Sequence, residues 1–345
     1  MPELTSVRKT FFTDSVLESV LLMEKKGDRF LQPNLKAING KHGYKALNKG
    51  LGFEVLQLNQ SDLIAKIERI ILRTNPITHA NSTHYPWMSL GFGQERQKLN
   101  TVNDAKERRR QHLANKRKFE EVGIITADYV GSAMINSVLD NKTGIVVPMY
   151  VEFWKKIPGK ELTRRDESVD RLYQTKEGRD KLVNLALSIK KLSEIGYLCD
   201  VNYFDLLKGE YTVAKTKNGF PFPRNFFITK SKNSGQTELV AFDFNMGVDL
   251  TLMPWWKTEF KNDLFLKNQE GKFVPSPTAK EDMKKSVRLL ISEKISEDDL
   301  ENKDYTDRLL DESYVFLTQI DNLFGQLEVT TAILNKIKEI EGNTI

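Results

Sequence analysis

Residues 223–244 constrain this chain more than any other stretch. They read Pro223-Arg224-Asn225-Phe226-Phe227-Ile228-Thr229, a polar tip, then Glu238-Leu239-Val240-Ala241-Phe242-Asp243-Phe244. Apolar runs on either side of Lys230–Gln236, which carries a Ser-Gly pair, predict a β-hairpin. Asn225 opens the first strand and Asp243 closes the second, so antiparallel pairing puts both at one end. An amide oxygen and a carboxylate meeting there can hold a hard divalent cation that keeps most of its waters for phosphate oxygens. The plainer alternative makes Asn225 a turn former and Asp243 a strand-end or helix-cap residue.

The order Asn, three apolar residues, a short hairpin, two apolar residues and Asp-Phe resembles the metal-binding half of the protein-kinase and aminoglycoside-phosphotransferase superfamily. That resemblance covers roughly a fifteenth of the chain. Its third motif position is Asn245 rather than Gly, with Gly247 two residues on. It implies an α+β, protein-kinase-like two-lobed fold. A small β-containing N-lobe with additional helices would occupy 1–152, and a mostly helical C-lobe with catalytic loop and metal-binding hairpin 153–345. It implies further that Asn225 and Asp243 bind the magnesium or manganese of ATP.

Upstream, Thr175–Ile195 predicts a helix, with Leu182, Leu185, Ile189 and Leu192 in one stripe, Ala186 beside it, and Gly196 at its end. It delivers Tyr197-Leu198-Cys199-Asp200, where Asp200 resembles the base of the family's His-Arg-Asp motif. Two registers compete. In one, Asp200 is the catalytic base and an insertion separates it from Asn225 and Asp243. In the other, Asn218-Gly219-Phe220 stands where the phosphotransferase His-Gly-Asp should lie; Phe220 accepts no proton, and the domain is a pseudokinase or uses another group. A third register, with Asp205 as a metal ligand, would put Lys215 in the place of the second acid.

The first third is less patterned. Residues 11–27, with Val16, Val20 and Met23 at i, i+4 and i+7, predict a short helix, and Phe53–Leu58 alternates like a strand. Ser61-Asp62 before Leu63–Leu72 predicts a capped helix. Gly40, Gly43, Gly50 and Gly52 space this region without a clean glycine loop, and Gly91-Phe92-Gly93 is only a fragment of one. Lys41, Lys45 and Lys49 compete for the role of the family's phosphate-binding lysine. Ala133–Leu139 and Ile145–Val151 flank a turn-forming Asp140–Gly144 and predict a second hairpin. Pro148 argues for a strand edge or end. The resemblance makes this the strand entering the adenine-contacting hinge, with Met149 and Val151 against the nucleotide.

Charge narrows the binding classes. Residues 106–118 hold Lys106, Arg108, Arg109, Arg110, Lys116, Arg117 and Lys118 against one acid, so their net of +6 leaves −1 (5 − 6) for the rest. The helix expected over 101–121 thus offers one polyanion-binding face, or simply a solvated one. A global preference for nucleic acid is not implied, and no aromatics interleave for base stacking. Cys199 is the only cysteine, so an internal disulfide and a cysteine metal cluster are excluded and a reducing compartment is expected. The four histidines lack paired ligand spacing. No apolar run reaches the ~20 residues that span a bilayer, and Met1-Pro2-Glu3-Leu4 opens no readable signal peptide.

The last third predicts helices over 279–293, opened by Thr278 and Glu281 as a capping box, then Tyr305–Phe324 and Gln326–Ile340 as a hairpin broken at Gly325. A looser capping pattern lies at Ser296–Asp299. Before them Leu252-Met253-Pro254-Trp255-Trp256-Lys257 stands where the family carries its activation segment, with no Ala-Pro-Glu following.

These departures resemble the atypical kinases that intracellular bacterial pathogens translocate into host cells. That resemblance implies a cytoplasmic protein, secreted by a bacterium into the host cytosol, that phosphorylates a protein hydroxyl. It also implies activation by a polyanion such as inositol hexakisphosphate on the basic helix. Two other classes remain open: a non-enzymatic phosphoinositide- or protein-binding module using that helix and Trp255-Trp256, and a nucleic-acid-binding protein.

Overall fold

The computed structural model describes residues 16–26, 29–33, 44–49, 53–58, 62–68, 102–140, 145–164, 167–205, 210–231, 234–242, 248–252, 264–293 and 303–342. Helices and sheets both contribute, so the class is α+β. Two compact units are present. One draws on Met1–Thr78, Gly93–Ala114 and Ala127–Ile157, the other on His79–Phe92, Asn115–Thr126 and Pro158–Ile345.

The first unit contains a seven-stranded sheet. Its strands are β1 (Val16–Lys26), β2 (Arg29–Pro33), β3 (Tyr44–Lys49), β4 (Phe53–Leu58), β5 (Leu63–Glu68), β7 (Tyr129–Asp140) and β8 (Ile145–Lys155), with β6 (Ile125–Thr126) lying elsewhere. The order is β2-β1-β7-β8-β5-β4-β3, antiparallel except that β1 runs parallel to β7. The strand expected at Phe53–Leu58 and the β7–β8 hairpin both appear.

Two helices expected here are strands instead. Val16–Lys26 is β1, in register with Ser132–Val138 of β7, and Leu63–Glu68 is β5, bonded on both edges to β4 and β8. Short apolar runs satisfy both periods locally, and the neighbouring strands supply backbone partners that a lone helix would not need. Pro148 is explained by the length of β5. The pairing of β5 with β8 stops at Ile67 opposite Val151, so among the described residues β8 is bonded only to β7 at Pro148.

Helix α1 (Val102–Glu121) matches the expected basic helix. It contributes His112, which is buried and bonds through Nδ1 to the fully buried carboxylate of Glu152 on β8. Trp154 Nε1 donates to the other oxygen of Glu152 at 3.1 Å. A buried carboxylate held by two donors is tolerated where an unpartnered one would not be.

In the second unit, α2 (Glu167–Gln174), α3 (Lys176–Glu194), α4 (Pro277–Ser292) and α5 (Lys303–Gly342) surround small β elements. Thr175 caps α3, accepting from the Gly178 N–H, and Gly196 at φ 73° follows its end. The predicted stripe Leu182, Leu185, Ala186, Ile189 and Leu192 is buried and α3 packs against α5, whose Ile320, Leu323, Phe324 and Leu327 are likewise buried. Helix α4 starts earlier than expected. Ser276 rather than Thr278 is the cap, accepting from the Ala279 N–H at 3.2 Å, with Pro277 at the first helical position where its missing N–H costs nothing. Lys280 and Lys284 of α4 both pair with Asp321 of α5.

Gly325 does not break a helical hairpin. Helix α5 runs uninterrupted through it for 40 residues. Its role is close approach: a Cβ there would meet Asn202 Nδ2 and lie 2.7 Å from Tyr211 Cβ. The Ser296–Asp299 pattern, Trp255-Trp256, Gly91–Gly93 and Lys41 lie outside the described residues. No helix among the described residues is long and apolar enough to cross a membrane.

Gly325→Ala should therefore destabilise the fold by about 1–3 kcal/mol through overpacking, although alanine favours helix locally. Chemical denaturation measures it; a more stable variant would show that helix propensity and not packing decides this position.

Candidate functional site

The expected hairpin is present: β15 (Phe226–Lys230) pairs antiparallel with β16 (Thr237–Ala241), from Phe226↔Ala241 to Lys230↔Thr237. With β6 and β9 (Gly159–Glu161) they form a four-stranded sheet in the order β6-β16-β15-β9. Asn225 sits at the mouth of this hairpin with φ 62°, the single non-glycine residue of positive φ among those described. Asparagine tolerates that region better than other L-residues because its short side chain bonds locally.

That side chain reaches across 25 positions of sequence. Asn225 Nδ2 donates to the Asp200 backbone oxygen at 2.8 Å and to Asp200 Oδ2 at 3.0 Å. The Arg224 N–H bonds the Val201 oxygen at 3.0 Å, and Arg224 Nη1 bonds the Asn202 oxygen at 3.3 Å. Three successive carbonyls, 200 to 202, are thus held by two successive residues. Arg224 Nη1 also lies 4.0 Å from Asp200 Oδ1. The Asp200 side chain is 19% exposed, enough to meet a ligand from solvent.

The insertion forms β elements of its own. Residues 203–222 form two short hairpins, β11 (Tyr203–Asp205) with β12 (Glu210–Thr212), and β13 (Ala214–Lys215) with β14 (Pro221–Phe222). Asn218-Gly219-Phe220 belongs to the turn joining the second hairpin. Phe220 stacks on Tyr173 at 4.9 Å and Asn218 bonds Asp170. Asp205 pairs with Glu210 in its own hairpin.

Asp243 lies outside the described residues, but the chain on both sides of 243–247 is fixed. The Phe242 N–H bonds the Asn225 oxygen at 3.3 Å. After the gap β17 (Val248–Asp249) pairs with β10 (Tyr197–Leu198), Val248 opposite Leu198. The segment holding Asp243 therefore leaves beside Asn225 and returns two residues before Asp200.

Sequence reasoning missed what supports Asp200 from below. Gln326 of α5 is fully buried and uses all of its amide capacity. Its Oε1 accepts from the Cys199 N–H at 2.8 Å and from the thiol at 3.3 Å, while Nε2 donates to Ser193 Oγ at 2.8 Å and to the Tyr197 oxygen at 3.1 Å. Asn202 Nδ2 donates to Asn322 Oδ1 at 3.2 Å one turn earlier. The local signal was slight: three amides, Gln319, Asn322 and Gln326, are buried on a helix that also buries Thr330 and Thr331, with Gly325 beside Gln326. Burial, and secondarily the charge of Asp200, pushes the Cys199 thiol well above its usual range. The single cysteine is a neutral core group and no nucleophile.

The other predicted residues fall elsewhere. Met149 and Val151 are strand positions of β8, opposite Ile135 and Ala133 of β7. Lys106, Arg108, Arg109, Arg110, Lys116, Arg117 and Lys118 all lie on α1. At its described end Lys116 pairs with Glu120, and Lys118 with Glu121 at 3.1 Å, while Arg110 and Arg117 are exposed. Part of that charge is thus answered within the helix.

No family model matches the chain, and no curated protein does. Among solved structures, one titled WaaP in complex with acyl carrier protein is similar, at TM-score 0.31 and 10% identity over 87% of this chain and 89% of that chain.

Replacing Asn225 separates its two roles. Asn225→Ala should cost about 1–2 kcal/mol for the left-handed backbone and about 1 kcal/mol more for the lost hydrogen bonds. Asn225→Gly should recover the backbone part and melt between Ala and wild type. An alanine variant as stable as the glycine one would refute the conformational argument. Independently, Cys199 should resist iodoacetamide in the folded protein at about pH 8 and react once denatured; alkylation at the same rate in both states would show the thiol is not sealed.

Proposed function

We propose that this chain is a kinase-like phosphotransferase. It moves a phosphoryl group from ATP to a hydroxyl of a protein acceptor, with Asp200 as the base and Asn225 and Asp243 as metal ligands. The observation that carries the reading is the hydrogen bonding of Asn225 to Asp200 across two looped-out hairpins. It joins a carboxylate to an amide whose nitrogen is engaged and whose oxygen takes no part in either bond.

The donor set fits magnesium or manganese. Both take oxygen ligands and magnesium keeps several waters, so one amide and one carboxylate suffice beside substrate phosphates. Among the described residues no group of three His, Cys, Asp or Glu could hold a metal ion, so an all-protein cage has no support there. Bound ATP and its metal would supply the transferable phosphoryl group and charge neutralisation.

The chain's own residues do the positioning. The two bonds from Asn225 Nδ2 fix the Asp200 backbone and orient its carboxylate. Asp200, partly exposed, accepts the proton of an incoming hydroxyl through its carboxylate. Gln326 holds the preceding residues still, limiting what alignment costs at the moment of reaction. Asp243 is one peptide bond beyond Phe242, whose N–H is tied to Asn225, and this supports its assignment as the second ligand. In the same reading Met149 and Val151 of β8 contact adenine. The exposed guanidinium groups of α1 receive an activating polyanion such as inositol hexakisphosphate, as in an effector acting in a host cytosol.

A pseudokinase that binds nucleotide without transfer is the second reading, favoured by the guanidinium 4.0 Å from Asp200, which gives that carboxylate a partner within the chain. Calorimetric titration of Mn-ATP and Mg-ATP, with and without inositol hexakisphosphate, tests both readings alongside labelled-phosphate transfer. Wild type should bind, and Asp243→Ala should lose about tenfold or more in affinity. Asp200→Asn should keep binding and lose transfer. Binding without transfer in wild type leaves the pseudokinase; no binding in any combination sinks both.

A further inference from the structure

Two guanidinium groups converge on one exposed ring beside Asp200. Arg164 Cζ lies 4.3 Å from the centre of the Tyr203 ring and Arg224 Cζ lies 5.0 Å from it. Tyr203 is 41% exposed, the Arg224 side chain 37%, and Arg164 is exposed. The two cations are thereby held within the roughly 10 Å Debye length of ordinary buffers. Their repulsion is only partly answered. Asp200 stands 4.0 Å from Arg224, and among the described residues no carboxylate pairs with Arg164.

A flat ring stacks guanidinium groups without consuming their N–H donors, and although Arg224 commits Nη1 to the Asn202 oxygen its other nitrogens are not spent in that bond. We propose that Arg164, Tyr203 and Arg224 form the recognition site for a phosphate monoester on the protein acceptor, so that the enzyme acts on a protein already phosphorylated near the target hydroxyl. The inference rests on the phosphotransfer reading for the word acceptor, but the anion site itself does not.

A phosphate fits better than a carboxylate. It carries close to two charges against two cations, and its three terminal oxygens can serve two forked donors where a carboxylate's two oxygens serve one. The position decides the role. Arg224 immediately precedes Asn225 and its side chain contacts the Asn202 oxygen, two residues from Asp200. An anion seated there places the rest of its molecule beside the Asp200 carboxylate.

The test uses the full chain and three probes: inorganic phosphate, a phosphoserine peptide, and the same peptide with serine. Binding is read by calorimetry for wild type, Arg164→Gln and Tyr203→Leu, with Mn-ATP titrated in parallel. Wild type should bind phosphate and the phosphoserine peptide but not the serine peptide. Arg164→Gln should weaken both about tenfold or more, the loss of one charge-assisted pair. Mn-ATP affinity should stay unchanged, since neither substituted residue belongs to the proposed nucleotide site. Arg164→Gln lies on an exposed turn and should keep the wild-type melting temperature, so a failure of folding cannot mimic the effect. Phosphate binding absent from wild type, or unaffected by Arg164→Gln, overturns the site. Binding of free phosphate without the phosphoserine peptide, or full displacement of phosphate by Mn-ATP, overturns its assignment to the acceptor. Should Mn-ATP fail to bind both with and without inositol hexakisphosphate while both phosphate probes bind, the phosphotransfer reading falls and the anion site stands.

Discussion

Gln326 is the constraint from which the second unit's site follows. A primary amide sealed from water must fill two donor and two acceptor places or cost several kcal/mol. Here all four go to the last turn of α3 and the stretch that follows it to Asp200: Ser193, Tyr197 and Cys199. The bonds are worth little each and much together, because leaving any of these buried groups alone would be expensive. They tie a non-helical segment to the face of a 40-residue helix, which is why a loop can hold a carboxylate in a set place.

Gly325 and Asn322 belong to the same device. With no Cβ at 325, the loop comes close enough for Asn202 to bond Asn322, and Asp200 is held from both flanks. The hairpin β15–β16 then meets this loop from the other side through Arg224 and Asn225. The candidate site is a junction of two rigid pieces, a helix and a hairpin, through a short stretch of carbonyls. The small hairpins inserted between Asp200 and Asn225 add chain without disturbing it, because closing a loop costs only slowly more as it lengthens.

The burial of His112 and Glu152 in the first unit is a different kind of constraint. One charged-helix residue turns inward to meet a carboxylate from β8, with Trp154 completing the set. Phe119 of α1 is buried as well, so the exposure of Arg110 and Arg117 follows from packing as well as from charge.

Much of the second unit was legible because its signals are local. The stripe of α3 repeats at helical spacing and buries one face, the Thr175 cap and Gly196 bound it, and the apolar runs around Lys230–Gln236 could pair only as a hairpin. Other features were decided by distant partners. Val16–Lys26 and Leu63–Glu68 satisfy helix and strand periods alike, and only β7, β4 and β8 offer the backbone bonds that settle the choice. Gly325 looks like a break because its sequence says nothing of what must approach it. The meeting of Asp200 with Asn225, and of Arg164 with Tyr203 and Arg224, joins residues tens of positions apart. By itself the sequence determined periodicity, caps and turns, which are energies of neighbouring residues. Tertiary structure alone decided which polar groups would be buried together, because satisfying them is a property of the whole packing.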